Sequence, residues 1–279
     1  MRHEPSNPQA ENCEENKIVN WRLIFDGEYS GAWNMARDEA LLNGADASTP
    51  PVLRFYDWSP ACVSIGRLQK NFAPSPDFDF VRRPTGGRAV LHQHEITYCA
   101  VLHREHLPPE SRSVLGAYQW LSRGFIAGLE TLGVRAELST RAAQRSTRDG
   151  ANCFQNAAQC DFVVDHRKLI GASQCRRNDV ILQHGSILLE VDEAAWRRAV
   201  GGENDLPSMQ AAVSLRQLGV LQPRREIVFA LCEGMRAVWN IEWERSQFSD
   251  RETQIAAQLH GVKYALAAWN ENSINPAGI

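Results

Sequence analysis

Apolar residues recur at helical spacing through Val114, Tyr118, Leu121, Phe125, Leu129 and Leu132, which predicts a helix over 113–133 closed by Gly133. A second helix is predicted over 31–45, where Trp33, Ala36, Ala40 and Leu41 fall near one face. Between and after them the pattern is that of strands, at 21–27, 134–138, 160–165, 168–174 and 180–189. The β-rich runs 52–58 and 61–67 are split by Ser59-Pro60 and read as a hairpin, and 78–83, 88–92 and 95–103 read as a continuation of the sheet. Residues 139–152 carry no apolar period and are expected to form a long loop, a length that is usually functional or mobile in a compact domain. Beyond about 192 the periodicity turns helical again, over 193–200, 225–240 and 253–270. The expected architecture is α+β, a mixed or antiparallel sheet flanked by helices with a helical C-terminal portion.

Composition narrows the class. The chain has 279 residues, is 43% hydrophobic and 23% charged, and carries a formal net charge of -3, a profile of a soluble globular protein rather than a general nucleic-acid binder. No apolar run approaches the ~20 residues of a membrane span, and residues 1–17 lack the apolar core of a secretory signal, so a disordered polar leader and a cytoplasmic location are expected. Seven cysteines, an odd number with no close CxxC pair, suggest free thiols in a reducing compartment. Arginines crowd three places: Arg82, Arg83 and Arg88; Arg141, Arg145 and Arg148; and Arg167, Arg176 and Arg177 around Lys168. Local positive charge in a slightly acidic chain suits an anionic substrate or an acidic partner.

Three segments can carry chemistry: 82–98, 153–174 and 182–189. Gly86-Gly87 beside arginines can bring backbone N–H groups around a carboxylate, a phosphate or a developing oxyanion, although a bare Gly-Gly is more often a simple hairpin turn. Cys153 follows the polar loop rather than sitting within an apolar run. It is either a reachable nucleophile or a partly buried structural thiol. Lys168 enters the small and apolar run LIGASQ, where an ammonium is partly desolvated and can lower the pKa of a thiol; the alternative is an exposed lysine on a turn. His92 and His94 could share a strand face and join His184 at a zinc ion, but the spacing fits no closed zinc motif, so no metal is expected. Asp26, Asp38 and Glu39 read as a strand end and a solvated helix face, and Trp239, Trp243 and Trp269 as core or interface residues.

Taken together and in this order, RRPTGGRAVLH, KLIGASQ and LQHGSILL resemble the catalytic domain shared by lipoate protein ligases, octanoyltransferases and biotin protein ligases, with NMARDEALL (34–42) and KYALAAWN (263–270) extending the likeness over about residues 20–270. The resemblance is strongest to the LipM-type octanoyltransferases, whose cysteine precedes the lysine by fifteen residues, as Cys153 precedes Lys168. Gln93 stands where many members have Asp, and Arg88 where many ligases have a third glycine, a trait shared with the octanoyltransferase branch.

What the resemblance implies is a class II aminoacyl-tRNA synthetase/biotin ligase-like catalytic domain over 18–270, followed by a tail over 271–279. It implies an acyltransferase in protein lipoylation that uses no cofactor. Cys153 takes octanoyl from octanoyl-acyl carrier protein as a thioester, Lys168 lowers the thiol pKa and holds the carbonyl oxygen, and the acyl group passes to a lysine of a lipoyl domain or of glycine cleavage H protein. Arg82, Thr85, Gly86, Gly87, Arg88, Ala89, Val90, His92, Gly171, Ala172, Gln174, His184 and Gly185 are the expected substrate-binding residues. Arg82 and Arg88 are expected to meet the carriers, and the chain to act as a monomer without nucleic acid or membrane. Three rivals stand beside this reading: an octanoyl amidotransferase between lipoyl-bearing proteins, an ATP-dependent lipoate ligase, and a non-catalytic acyl-carrier-binding module.

Overall fold

A computed structural model describes residues 19–70, 72, 75–140, 161–200 and 211–272 of the chain. The expected leader, most of the tail, most of the 139–152 loop and Cys153 lie outside the described residues.

The chain builds an eight-stranded mixed sheet in the order β11-β1-β2-β6-β10-β9-β8-β7. Its strands are β1 (Val19–Tyr29), β2 (Val52–Trp58), β6 (Glu95–His103), β7 (Glu137–Leu138), β8 (Phe162–Val164), β9 (Arg167–Arg177), β10 (Val180–Leu188) and β11 (Ile241–Arg245). β1 runs parallel to both β2 and β11, and the other pairs are antiparallel. β10 is buried along its whole length, because helices cover both faces of the sheet and leave no position for a solvated side chain. Two-residue turns with both residues at positive φ, Asp165-His166 and Asn178-Asp179, join β8 to β9 and β9 to β10, the backbone geometry that matches the strand twist.

Helices α2 (Val114–Thr131) and α4 (Arg224–Trp239) pack together on one face and bury Leu121, Phe125, Leu129, Leu231 and Met235 against the sheet. The buried line of α2 runs through Ala117, Leu121, Phe125 and Leu129, and Val114 is exposed. Gly133 (φ 79) ends this helix, and the Val134 N–H donates back to the Leu129 carbonyl at 3.0 Å, satisfying an orphaned acceptor. Helices α1 (Gly31–Gly44) and α5 (Asp250–Leu259) cover the other face. Trp21, Trp120 and Trp239 stack in the main core, which bears out the core role expected of Trp239; Trp269 is also buried, and Trp243 packs edge-on to Trp21.

Three expectations are corrected here. Residues 52–58 and 61–67 do not form a hairpin: the chain passes the cis Ser59-Pro60 bond and leaves the large sheet for a separate three-stranded sheet of order β4-β3-β5, made of β3 (Cys62–Ile65), β4 (Asp79–Arg82) and β5 (Val90–His92). Helix α3 (Glu193–Val200) packs Ala195, Trp196 and Ala199 on this small sheet. The C-terminal portion is not wholly helical, since Asn240 (φ 52) caps α4 and turns the chain into β11 beside β1. The predicted helix over 253–270 is three pieces: α5, a π-helical turn His260–Tyr264, and α6 (Ala267–Asn272). The π turn brings Lys263 and Tyr264 onto the Glu39 carboxylate of α1.

The α2–α4 crossing leaves no room for side chains at its closest point. A Cβ placed on Gly234 would stand 2.1 Å from the Gly128 nitrogen and 2.4 Å from its Cα. Backbone cannot retreat as a flexible side chain can, so Gly234→Ala should lower unfolding free energy by at least ~2 kcal/mol, measured by urea denaturation.

Candidate active site

The two sheets meet over a narrow cavity of about 50 Å³. Sheet register arranges its floor in rows. Tyr56, Thr97, Ser186 and Gly171 lie side by side on β2, β6, β10 and β9, and Arg54, Cys99, His184 and Ser173 form the neighbouring row. The first row is built of small groups at Gly171, Ser186 and Thr97, which leaves the space; Trp58, Met35, Val90 and Gly87 complete the lining.

The second row is anchored by a buried ion pair. Arg54 and Asp38 have no exposed side-chain surface, and the guanidinium meets the carboxylate at 2.6 Å. Arg54 also donates to Asp26 and to the Asn34 side chain and carbonyl. Burial acts to raise the Asp38 carboxyl pKa, but the Arg54 charge and the hydrogen bonds from His184 and Tyr56 outweigh it and hold the group below its usual range. His184 is kept below its ordinary value chiefly by burial, with Asp38 opposing, so the imidazole is neutral. An ionised Asp38 only accepts, so Nδ1–H of His184 donates to it (2.9 Å) and Nε2 accepts from the Thr85 hydroxyl (2.7 Å). Thr85 Oγ1 in turn lies 2.7 Å from Ser173 Oγ. The chain Asp38–His184–Thr85–Ser173 thus ties α1, β10, the Gly-Gly loop and β9 together.

A second polar group occupies the adjoining wall. His92 lies 2.5 Å from Glu95 and 2.7 Å from Ser64 Oγ, and its ring stacks on Trp58 at 3.8 Å. Thr97 and Ser186 also donate to Glu95. His94 does not share a strand face with His92. It falls in the turn between β5 and β6, and its carbonyl accepts from Leu189 and Glu190.

The expected lysine is placed by an irregularity in β9. Phe162 pairs with Ile170 but Val163 with Lys168, so β9 holds one extra residue, Leu169. Leu169 and Ile170 both enter the main core, and the bulge turns Lys168 to the face that Gly171 and Ser173 share. Lys168 is buried, and its ammonium meets the Asp161 carboxylate at 2.7 Å. It is not on an exposed turn.

The other expected residues divide. Thr85, Gly87, Val90, His92, Gly171, Ala172, His184 and Gly185 are at the cavity or in its hydrogen-bonded wall. Gly87 (φ 92) needs its glycine twice over, since a Cβ there would stand 2.7 Å from an Arg83 nitrogen. Gly86 contributes its carbonyl, which accepts from Arg83, and Ala89 packs beneath the small sheet. Arg88 is half-buried with its carbonyl also taken by Arg83, and Gln174 pairs with Gln183 behind the cavity. Arg82 is corrected: it is buried away from the cavity, its guanidinium donating to carbonyls of Gly66, Gln69, Trp269, Asn270 and Glu271, which clamps α6 to the small sheet. Asp38 and Glu39 are corrected too, both being buried and ion-paired rather than solvated. Asp161, Ser173, Ser64, Trp58, Thr97 and Arg83 were not singled out as site residues from the sequence. The usable signal was Arg54 inside an apolar strand, which demands a buried anion.

The cysteines among the described residues are poor nucleophiles. Burial pushes the thiols of Cys62 and Cys99 well up, and those of Cys175 and Cys232 up to about 12.

Two outcomes are expected of the buried network. Asp38→Asn strands Arg54 without its counter-charge and should cost about 3–5 kcal/mol of stability in urea unfolding. The unfolded chain takes up a proton on His184 near its ordinary value of 6.5, which the folded chain still refuses, so stability falls as pH drops through that value toward the lower folded one. The urea midpoint should therefore fall on acidification from neutral pH, and His184→Gln, which has nothing to titrate, should flatten that fall.

Known proteins resemble this chain in sequence and in fold. Octanoyltransferase LipM of Symbiobacterium thermophilum is 35% identical over 272 residues, spanning 90% of this chain and 98% of the relative. Octanoyltransferase LipM of Bacillus subtilis is 36% identical over 273 residues, spanning 90% and 97%. Among solved structures, lipoate-protein ligase A bound with ATP superposes with a TM-score of 0.78 at 20% identity, covering 90% of this chain and 98% of that one. The bipartite lipoate protein ligase of Thermoplasma acidophilum, studied with its E2 lipoyl domain, gives 0.77 at 19% identity, covering 94% and 100%. Residues 30–220, from the first turn of α1 past β10, match the lipoyl protein ligase A/B catalytic domain, and the chain belongs to that family.

Proposed function

We propose that this chain is an octanoyltransferase of protein lipoylation, moving octanoyl from octanoyl-acyl carrier protein to a lysine of a lipoyl domain or of glycine cleavage H protein through a thioester on Cys153. The observation that carries the reading is the similarity, at 35% and 36% identity over nine-tenths of the chain, to proteins named octanoyltransferase, together with a cysteine fifteen residues before Lys168. The site supports it. The cavity lies between the two sheets with Gly171 and Ser173 in its lining, the β9 bulge carries Lys168 to the strand face those two residues share, and each described cysteine is held in its thiol form.

In the first half-reaction the Cys153 thiolate attacks the carrier thioester, the new C–S bond forms, and the carrier thiolate leaves and takes a proton. In the second, a neutral lysine amine attacks the enzyme thioester, the C–N bond forms as the C–S bond breaks, and the proton lost by the nitrogen balances the cysteine thiolate that leaves. Lys168 is the fixed positive charge for both steps: it favours the thiolate and faces the carbonyl oxygen as negative charge develops. Asp161 is a positioning residue, holding the ammonium from the opposite side so that it does not swing away. Backbone N–H groups near Gly171 and Ala172 are further donors.

In an ATP-free assay reading the mass of the acceptor domain, Cys153→Ala should abolish transfer. Lys168→Met should lower the rate by about 100-fold or more, the usual effect of losing one group at a developing oxyanion. Asp161→Asn should lower it by a smaller factor. Undiminished turnover in Cys153→Ala would sink the mechanism.

A further inference from the structure

The turn that follows β3 holds an apolar side chain out in solvent on a fixed support. Leu68 is 80% exposed, the most exposed large apolar side chain among the described residues. A lone exposed leucine needs no explanation, but a loose loop would be free to fold it back, and this one is not. The Gln69 N–H donates to the Gly66 carbonyl at 3.0 Å, and the Arg67 N–H to the Thr85 carbonyl at 2.8 Å. The buried Arg82 guanidinium donates to the carbonyls of Gly66 and Gln69 at 2.9 and 2.7 Å. A Cβ on Gly66 would stand 1.9 Å from the Gly87 carbonyl oxygen, so the turn is pressed against the Gly-Gly loop.

The surroundings of Leu68 are cationic. Arg67 and Lys70 flank it, both exposed, and Arg88 lies half-buried on the loop against which the turn rests. Lys263 has both Arg67 and Arg177 among its charged neighbours, and the Glu39 carboxylate there is spent on Lys263, Tyr264 and Arg177. An apolar tip flanked by positive charge fits an acidic protein surface: the charges steer the encounter and set its salt dependence, and the leucine supplies apolar contact at the centre.

Distance favours the donor over the acceptor as that partner. Thr85, whose carbonyl holds Arg67, reaches down to Ser173 on β9. Lys168 precedes Ser173 by five residues, one of them absorbed by the bulge, which sets the two Cα atoms about 13 Å apart. The Lys168 ammonium does not close that gap, because it turns to Asp161 on the β8 side of β9, away from β10. An acceptor lysine reaches only about 6 Å, so its domain must press its body against the nucleophile. An acyl carrier presents its thioester on a prosthetic arm of roughly 18 Å, about fourteen single bonds, and can dock at a distance.

We propose that the turn Arg67–Lys70 is the docking point for the donor's acyl carrier domain, with Leu68 as its apolar anchor and the flanking cations meeting the carrier's acidic face. The inference rests on the octanoyl-transfer reading. It concerns affinity for the donor and leaves the chemistry at Cys153 and Lys168 untouched.

The test uses the full chain and follows thioester formation by intact mass with two donors: octanoyl-acyl carrier protein, and S-octanoyl-pantetheine, which has the same reactive end without the protein. Leu68→Ser and Lys70→Glu, both at exposed positions, should each raise KM for the carrier-borne donor about tenfold and leave kcat unchanged. Neither should alter kcat/KM for S-octanoyl-pantetheine, nor the rate at which the loaded enzyme passes octanoyl to the acceptor. Added salt should raise KM for the carrier in the unaltered chain and less so in Lys70→Glu. An unchanged KM in the double variant overturns the docking point while leaving octanoyl transfer intact. An equal loss with both donors overturns it too, making the turn a structural part of the site, as does a loss confined to onward transfer, which assigns the turn to the acceptor. No thioester in the unaltered chain with either donor overturns the octanoyl-transfer reading itself, and the docking point with it.

Discussion

A guanidinium with no exposed surface must find its counter-charge where it lies, and the place where Arg54 finds Asp38 organises the cavity. The pair joins the second strand of the large sheet to the first helix. It fixes a carboxylate whose remaining oxygen can accept from Tyr56 and His184. His184 then has one free lone pair, which Thr85 fills, and Thr85 carries the Gly-Gly loop of the small sheet down onto β9. The ion pair thus joins the apolar packing of Cys62 and Val81 on Met35 and Ala36 in setting how the small sheet sits over the large one. Glu39, the next residue along, repeats the device by drawing Lys263, Tyr264 and Arg177 to the same helix, so that α1 is bound to the end of β9 and to the π turn by charge as well as by apolar packing.

The second constraint is one of register. In an unbroken strand Lys168 and Ser173, five residues apart, would face opposite sides of the sheet. The extra residue at Leu169 cancels one alternation, sends two apolar side chains in succession into the core, and leaves the lysine on the cavity side. Asp161 immediately precedes Phe162, whose ring is in the core, and so lies on the lysine's side of β8. Burying an ammonium is costly unless it is paired, and this carboxylate is what makes the buried position tenable.

Much of this was legible in the pattern of residues. The central strands β6 and β10 read as apolar runs, α1 and α2 as helical periods, and the Gly-Gly turn as a point of close approach, because each follows from local chemistry. The division into two sheets was not legible, since 52–58 and 61–67 have the same strand character and nothing in either says which sheet it joins. Strand β11 is five residues long and gains its place only by pairing with β1, a partner more than two hundred residues away. Asp38 and Glu39 look like a solvated helix face until Arg54 and Lys263 are brought to them, and Arg82 looks like a surface cation until the carbonyls of α6 arrive. The residues read correctly are those whose role is set by their neighbours in sequence, and the corrected ones are those set by distant partners.

The account turns on acyl transfer through a cysteine that the lysine face of β9 serves. The most direct test is peptide-level mass spectrometry of the chain after incubation with octanoyl-acyl carrier protein in the absence of ATP. The account predicts a hydroxylamine-sensitive octanoyl group on the peptide containing Cys153. An adduct that forms only when ATP and free octanoate are supplied, or that resides on another residue, would contradict it.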